Sequence, residues 1–342
     1  MLSPLTLLQT IKLPTQLPAE LLAFTLLIAF AMLSTLEFYA PRDKLPSWPL
    51  RRSYLTNISL FVVNSCIVSV LSASSLLALA ERYSHHNVLN SYLPSPAWQA
   101  ALAFLLLDLS LYVWHRAAHH FEWLWLFHKV HHNDPYLNIS TSFRIHIGEL
   151  LGTYAIKALL IMALGIKASV IISCEAVLTF FILFHHTNIR FKGERWLSYF
   201  VIVPALHRTH HSTLRAEHDS NYGTVLSLWD RLFGTYKDCH AAQIGSSYAS
   251  PQTLIPLLAF GFYTPTPLIE TPCLEAMIAE AAYYKAERRG FSPGNEIRDW
   301  LEAKREILAL VYADKSLRNK FSHHQQGGYF KFKHPLLPIQ HF

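Results

Sequence analysis

Histidines crowd one stretch of this chain. His115 and His119 lie four apart, and His128, His131 and His132 follow at spacings of three and four. On a helix these spacings bring side chains to one face, about one turn from each other. His207, His210 and His211 repeat the second pattern, and thirteen of the twenty histidines fall between His115 and His218. A single histidine on an apolar helix is ordinarily a packed or hydrogen-bonded residue. A crowd of them at the end of a membrane helix is costly unless their nitrogens find partners, and neutral imidazole is the commonest nitrogen ligand of first-row metals. The spacing therefore predicts a site for more than one metal ion.

The elements that must position these residues are apolar helices. Of 342 residues, 51% are hydrophobic and only 15% charged, too apolar for an ordinary soluble domain. Spans are expected over Ala19–Tyr39, Leu55–Ala80 and Ala97–Trp114, the last running directly into His115. Leu150–Leu164 and Ala168–Phe184 are shorter, a pair of tilted spans or a re-entrant hairpin joined at Gly165 and Lys167. The connector after the first span carries Arg42, Lys44, Arg51 and Arg52 against Asp43, and Arg190, Lys192 and Arg195 follow the hairpin. By the positive-inside tendency both loops are cytoplasmic, and the hairpin returns the later histidines to the face of the earlier ones. The net charge of +6 then reflects membrane orientation and not nucleic-acid binding. Cys66, Cys174, Cys239 and Cys273 form no CxxC pair, so neither a disulfide framework nor a cysteine-bound zinc site is expected.

The fold class is accordingly an all-α integral-membrane bundle of about four or five spans or re-entrant helices, with a cytoplasmic histidine-rich cap. We divide the chain into an N-terminal membrane region (1–96), a histidine domain (97–242), a proline-rich linker (243–272), a soluble helical hairpin (273–320) and a flexible tail (321–342). No secretory leader is expected in the proline-containing lead-in up to Pro18. The hairpin rests on helical spacing of Leu274, Met277, Ile278, Ala281 and Ala282, and of Ile297, Trp300, Leu301 and Ile307, with Asn295 as a cap.

The ordered set His115-Arg116-x-x-His119, His128-x-x-His131-His132, Phe143-Arg144-x-His146-x-x-Glu149, His186-x-Asn188, His207-Arg208-x-His210-His211, Asn221-Tyr222-Gly223 and Trp229 to Tyr236 resembles the fatty acid hydroxylase and sterol desaturase superfamily. The resemblance implies a membrane di-iron monooxygenase with ligands His115, His119, His128, His131, His132, His207, His210 and His211, and with His146 and His186 added to them. Two departures stand out: Ile147 replaces a proline common after the third motif's histidine, and Ile182 stands where some hydroxylases carry another histidine. The implied reaction hydroxylates or desaturates a lipid with dioxygen and two electrons. Those electrons come from a separate ferredoxin or small haem protein, since no haem, iron–sulfur or GxGxxG motif is visible.

Asp108, seven before His115, either orients an imidazole or serves helix packing; Glu149 and Asn188 are candidates for orienting roles as well. Trp114, Trp123, Trp125 and Phe127 read as an interfacial belt in preference to an acyl channel. The stretch from Asp299 to Glu306 resembles a small bacterial domain of unknown function, which tilts the localisation toward a bacterial inner membrane. Two other functions fit parts of the pattern: a pterin-dependent ether-lipid monooxygenase, and a non-catalytic membrane metal-binding or transport protein.

Overall fold

The computed structural model describes residues 19–71, 76–86, 88–93, 95–246, 250–264 and 271–312; the lead-in before Ala19 and the tail 321–342 lie outside them. Helices account for the architecture, and among the described residues β pairing is limited to isolated bridges such as Val201 with Leu226. The chain forms two compact units, residues 1–246 with 250–264, and residues 247–249 with 265–342.

Among the described residues four helices of the first unit are long and apolar enough to cross a membrane: Glu20–Tyr39, Pro96–His120, Ile147–Leu164 and Ala168–His185. The Pro96–His120 helix starts with proline, whose missing N–H costs nothing in the first turn. At about 1.5 Å per residue its 25 residues exceed the ~30 Å hydrocarbon layer. Its last turns, with His115 and His119, therefore emerge from the apolar region. Gly165, with φ of 62°, ends the Ile147–Leu164 helix in the left-handed conformation that glycine adopts at low cost, and the next helix begins at Ala168.

Over the expected second span, Leu55–Ala80, no described helix is among these four. One helix runs Ser47–Leu71 and a separate short one runs Leu76–Tyr83. Leu76 and Ala80 of the short helix are buried with Ala103, Leu107, Ile161, Ile166 and Ile171, so they plug the bundle end away from the histidines.

At the other end Phe121 adopts an extended conformation, closing one helix and opening the next, Glu122–His132. That single extended residue folds the second histidine helix back over the first. Buried polar side chains fasten the surrounding loops. Asp134 accepts hydrogen bonds from Ser53 Oγ (2.7 Å), Asn57 Nδ2 (3.0 Å) and Thr141 Oγ1 (2.8 Å). Glu37, at the end of the first span, accepts from the Ile139 and Asn188 amides (2.9 and 2.8 Å) and from the Tyr54 hydroxyl (2.9 Å).

Within 243–272, Leu254–Phe260 is a helix whose Leu257 and Phe260 are buried. Around it Gln252 Oε1 accepts from Arg144 Nη2 (2.9 Å), and the Tyr263 carbonyl accepts from the buried Lys129 Nζ, which sits 4.4 Å over the Phe260 ring. Residues 250–264 are therefore a wall of the first unit.

The second unit pairs helices Thr271–Arg288 and Glu296–Tyr312 through Ile278, Ala281, Ala303 and Ile307. Asn295 directly precedes the second of these helices.

Candidate metal centre

Among the described residues nine histidines form two sets, all buried except the half-buried His115. His115, His119, His128, His132 and His210 make the first; His131, His186, His207 and His211 make the second; within each set one nitrogen per ring lies within 4.8 Å of the others. In the first set Nε2 of His128 lies 3.0 Å from that of His115 and 3.1 Å from that of His132, while His119 and His132 are 3.1 Å apart. In the second, Nε2 of His207 is 2.9 Å from that of His186 and 3.1 Å from that of His211. His186 Nε2 stands 3.1 Å from that of His131.

The opposite ring nitrogens decide what these contacts are. His115 Nδ1 lies 2.9 Å from the Tyr222 carbonyl, His210 Nδ1 2.7 Å from the Ser220 carbonyl, and His186 Nδ1 2.6 Å from the Ile182 carbonyl. His128 Nδ1 faces Glu149 Oε1 at 2.6 Å, and His119 Nδ1 faces Asp219 Oδ1 at 3.3 Å. Carbonyls and carboxylates only accept, so each Nδ1 carries the proton and each Nε2 a bare lone pair. Two lone pairs 3.0 Å apart repel each other, as between His115 and His128, and His210 Nε2 is buried with no hydrogen-bond partner. A cation between the rings resolves both problems. The donor set fits a metal pair, and all-imidazole ligation suits iron, copper, nickel or zinc.

Burial first, and neighbouring imidazoles second, hold His131, His132, His186, His207, His210 and His211 well below the usual imidazole pKa. They are neutral at pH 7 and free of proton competition.

One loop supplies three of the first set's acceptors: the Asp219 carboxylate and the Ser220 and Tyr222 carbonyls. Asn221 turns this loop through a positive φ of 53°. Its side chain ties to the Leu206 and Lys237 carbonyls (3.0 and 2.8 Å). Asp230 accepts from the Tyr222 and Gly223 amides at 2.8 and 2.9 Å.

The remaining residues singled out in the sequence lie elsewhere. His146, expected as a ligand, belongs to neither set. Its Nδ1 accepts from the Gly148 amide (3.0 Å), its Nε2 donates to the Leu258 carbonyl (3.0 Å), and the ring stacks on Phe127, so both nitrogens are spent on packing the wall. Asp108 touches no imidazole. It accepts from the Val225 and Leu226 amides (3.0 and 3.1 Å) and from Trp229 Nε1 (2.9 Å), pinning the loop that follows Gly223. Asn188 brackets Asp43, accepting from its amide (3.3 Å) and donating to its carbonyl (2.8 Å). Glu149 does contact an imidazole, that of His128. Of the four belt aromatics only Trp123 is exposed: Trp125 packs on His119 and His218, and Phe127 on His146. Sequence reasoning passed over Glu37, Asn57 and Asp134. The available signal was a polar side chain inside an apolar helix for the first two, and an acid two residues past His132 for the third.

The fold and the site define a membrane helical bundle capped by a two-part histidine centre. Residues 100–235 match the family model described as fatty acid hydroxylase, and residues 274–309 match one described as a protein of unknown function (DUF2934). Three relatives are similar to part of this chain. An ornithine lipid hydroxylase of Rhizobium tropici is 34% identical over 140 residues, 41% of this chain and 42% of that protein. An alkylglycerol monooxygenase of Danio rerio is 36% identical over 143 residues, 41% and 31% of the two. A cholesterol 25-hydroxylase-like protein of Danio rerio is 31% identical over 149 residues, 40% and 55%. The segment 100–235 is thus similar to the fatty acid hydroxylase and sterol desaturase superfamily. The chain spans less than half the length of the first two of these relatives, and no solved structure matches it.

Proposed function

We propose that this chain is a membrane-bound oxygenase that hydroxylates, or desaturates, a lipid with dioxygen and two electrons from a separate donor, a ferredoxin or a small haem protein. The carrying observation is the pair of imidazole sets whose Nε2 lone pairs converge while Nδ1 of five rings is tied to acceptors. His115, His119, His128, His132 and His210 hold one iron, and His131, His186, His207 and His211 the other. Iron so bound supplies the one-electron redox steps that activate dioxygen toward an unactivated C–H bond. Glu149 and Asp219 keep the Nδ1 protons of His128 and His119 in place, so the Nε2 lone pairs stay directed inward. Asp108 fixes the 225–229 loop beneath the acceptor loop, and Asn188 anchors the segment after His186 to the first connector.

The histidine cap lies on the cytoplasmic face, which the excess of Arg and Lys in 42–52 supports. Reporter fusions that put Arg51 and His207 on opposite faces would overturn this orientation.

The test of function is metal analysis of the purified chain together with lipid mass spectrometry of cells with and without it. We expect two irons per chain and a lipid one oxygen heavier or two hydrogens lighter. An unchanged lipid profile from an iron-loaded, reductant-supplied chain would exclude the oxygenase reading. One alternative keeps specific support: similarity to an alkylglycerol monooxygenase favours an ether-lipid substrate, and the pterin-dependent reading of the sequence would pair that substrate with a reduced pterin as donor. Turnover sustained by a reduced pterin and not by ferredoxin would select that branch. A metal-transport role fits less well, because the ligands gather at one end of the bundle instead of along a path through it.

A further inference from the structure

The two imidazole sets are built unequally. The first offers five donors and the second four. Two rings of the first face carboxylates: His128 through Glu149 at 2.6 Å and His119 through Asp219 at 3.3 Å. Among the described residues no carboxylate oxygen comes within 4.0 Å of a ring nitrogen in the second set. There His186 Nδ1 meets only the Ile182 carbonyl, and Nδ1 of His131, of His207 and of His211 has no hydrogen-bond partner, whereas in the first set that is true of His132 alone.

This difference bears directly on metal affinity. A carboxylate accepting the Nδ1 proton draws positive charge away from Nε2 and makes that nitrogen a stronger donor, and it also locks the ring's orientation. A neutral carbonyl does this more weakly, and an unpartnered Nδ1 does neither. Asp219 is itself held. Its second oxygen accepts from Arg215 Nε at 3.0 Å, and its neighbour Ser220 supplies the carbonyl on His210. One loop thereby stiffens several donors of a single set.

We infer that the sites are thermodynamically distinct: Glu149 and Asp219 act as positioning residues that make the five-histidine set the tight site, and the four-histidine set is the one that exchanges its metal. The inference rests on reading both sets as a metal centre.

The experiment loads the full chain in nanodiscs with iron(II) and follows transfer to an excess of chelator. Two phases of one iron each are expected, the fast one missing in His207→Ala and the slow one missing in His210→Ala. Asp219→Asn and Glu149→Gln, which keep shape and remove charge, should each accelerate the slow phase about 10–100-fold and leave the fast phase unchanged. Release of both irons in one phase would overturn the inference, as would a slow phase indifferent to both substitutions. Equal acceleration of both phases would show that the carboxylates support the fold as a whole, which also overturns it. A chain that takes up no iron would instead sink the metal-centre reading beneath it.

Discussion

His131 and His132 are neighbours in sequence and members of different sets: their rings stand 86° to each other, with His132 facing His119 and His128 while His131 faces His186. Successive residues of a helix point about 100° apart, so one helix can feed two sites. His210 and His211 repeat the device from the opposite side. The helix Glu122–His132 gives two ligands to the first set and one to the second, and the His207–His211 turn does the reverse.

Removing either neighbour should therefore cost a different metal. His132→Ala and His131→Ala should each lower the iron content from two toward one per chain, measured by elemental analysis. The iron that remains should be the readily exchanged one in His132→Ala and the slowly exchanged one in His131→Ala. Full occupancy in both variants would contradict the assignment.

His146→Ala should behave differently. Both of its nitrogens serve the wall, so iron content should stay at the parental level while stability falls by about 1–3 kcal/mol for the buried partners left unpaired. A thermal melt and a metal assay on the same sample separate the two effects, and loss of an iron would return His146 to the ligand list.

Gly223 tests the acceptor loop. A Cβ there would meet the Leu226 carbonyl at 2.7 Å, Asp230 Oδ2 at 2.9 Å and Ile202 Cγ1 at 2.9 Å. Gly223→Ala must displace the clamp on the Tyr222 amide, and with it the carbonyl on His115. We expect overpacking to cost about 1–3 kcal/mol and the five-histidine site to lose affinity first. Parental chelator kinetics in this variant would show that the loop tolerates the shift.

Chain length can be tested at two cuts. A chain ending at Thr264 keeps the first unit whole and should still bind two irons. A cut after Ser250 removes the partners of Arg144, Asn133, His146 and Lys129, and that chain should aggregate or lose metal. The comparison is made by iron content and by size-exclusion profile in detergent. Loss of iron from the longer chain would mean that the distal unit completes the site.

The metal-free chain should be sensitive to acid. Burial lowers the folded-state pKa of His131, His132, His186, His207, His210 and His211, whereas in the unfolded chain they titrate near 6.5. Below that value the unfolded state binds protons that the folded state refuses. The stability these groups permit is therefore present above about pH 6.5 and is lost as pH falls through it. The unfolding midpoint of iron-free protein should drop between about pH 7.5 and 5.5. A midpoint that rises on acidification would mean the rings are not held neutral.

Local order along the chain fixes a good deal of this protein. Apolar length marks the four described helices able to cross a membrane, because spanning depends on consecutive residues, though it also marks Leu55–Ala80, and the spacing of Ile278, Ala281 and Ile307 marks the distal hairpin for the same reason. Histidine spacing marks the rings that share a helix face. Contacts across the chain decide the rest. Whether a ring nitrogen is free for metal depends on what its other nitrogen meets, and that partner can be 107 residues away, as Tyr222 is from His115, or 112 away, as Leu258 is from His146. The two cases look alike in the sequence, because no periodicity encodes which acceptor a fold will bring to Nδ1 or to Nε2. The same holds for Asp108, whose position seven before His115 puts it on that helix face, but whose oxygens are claimed by amides and an indole more than 100 residues downstream. Helix periodicity sets where a side chain points, and only tertiary packing sets what it meets there.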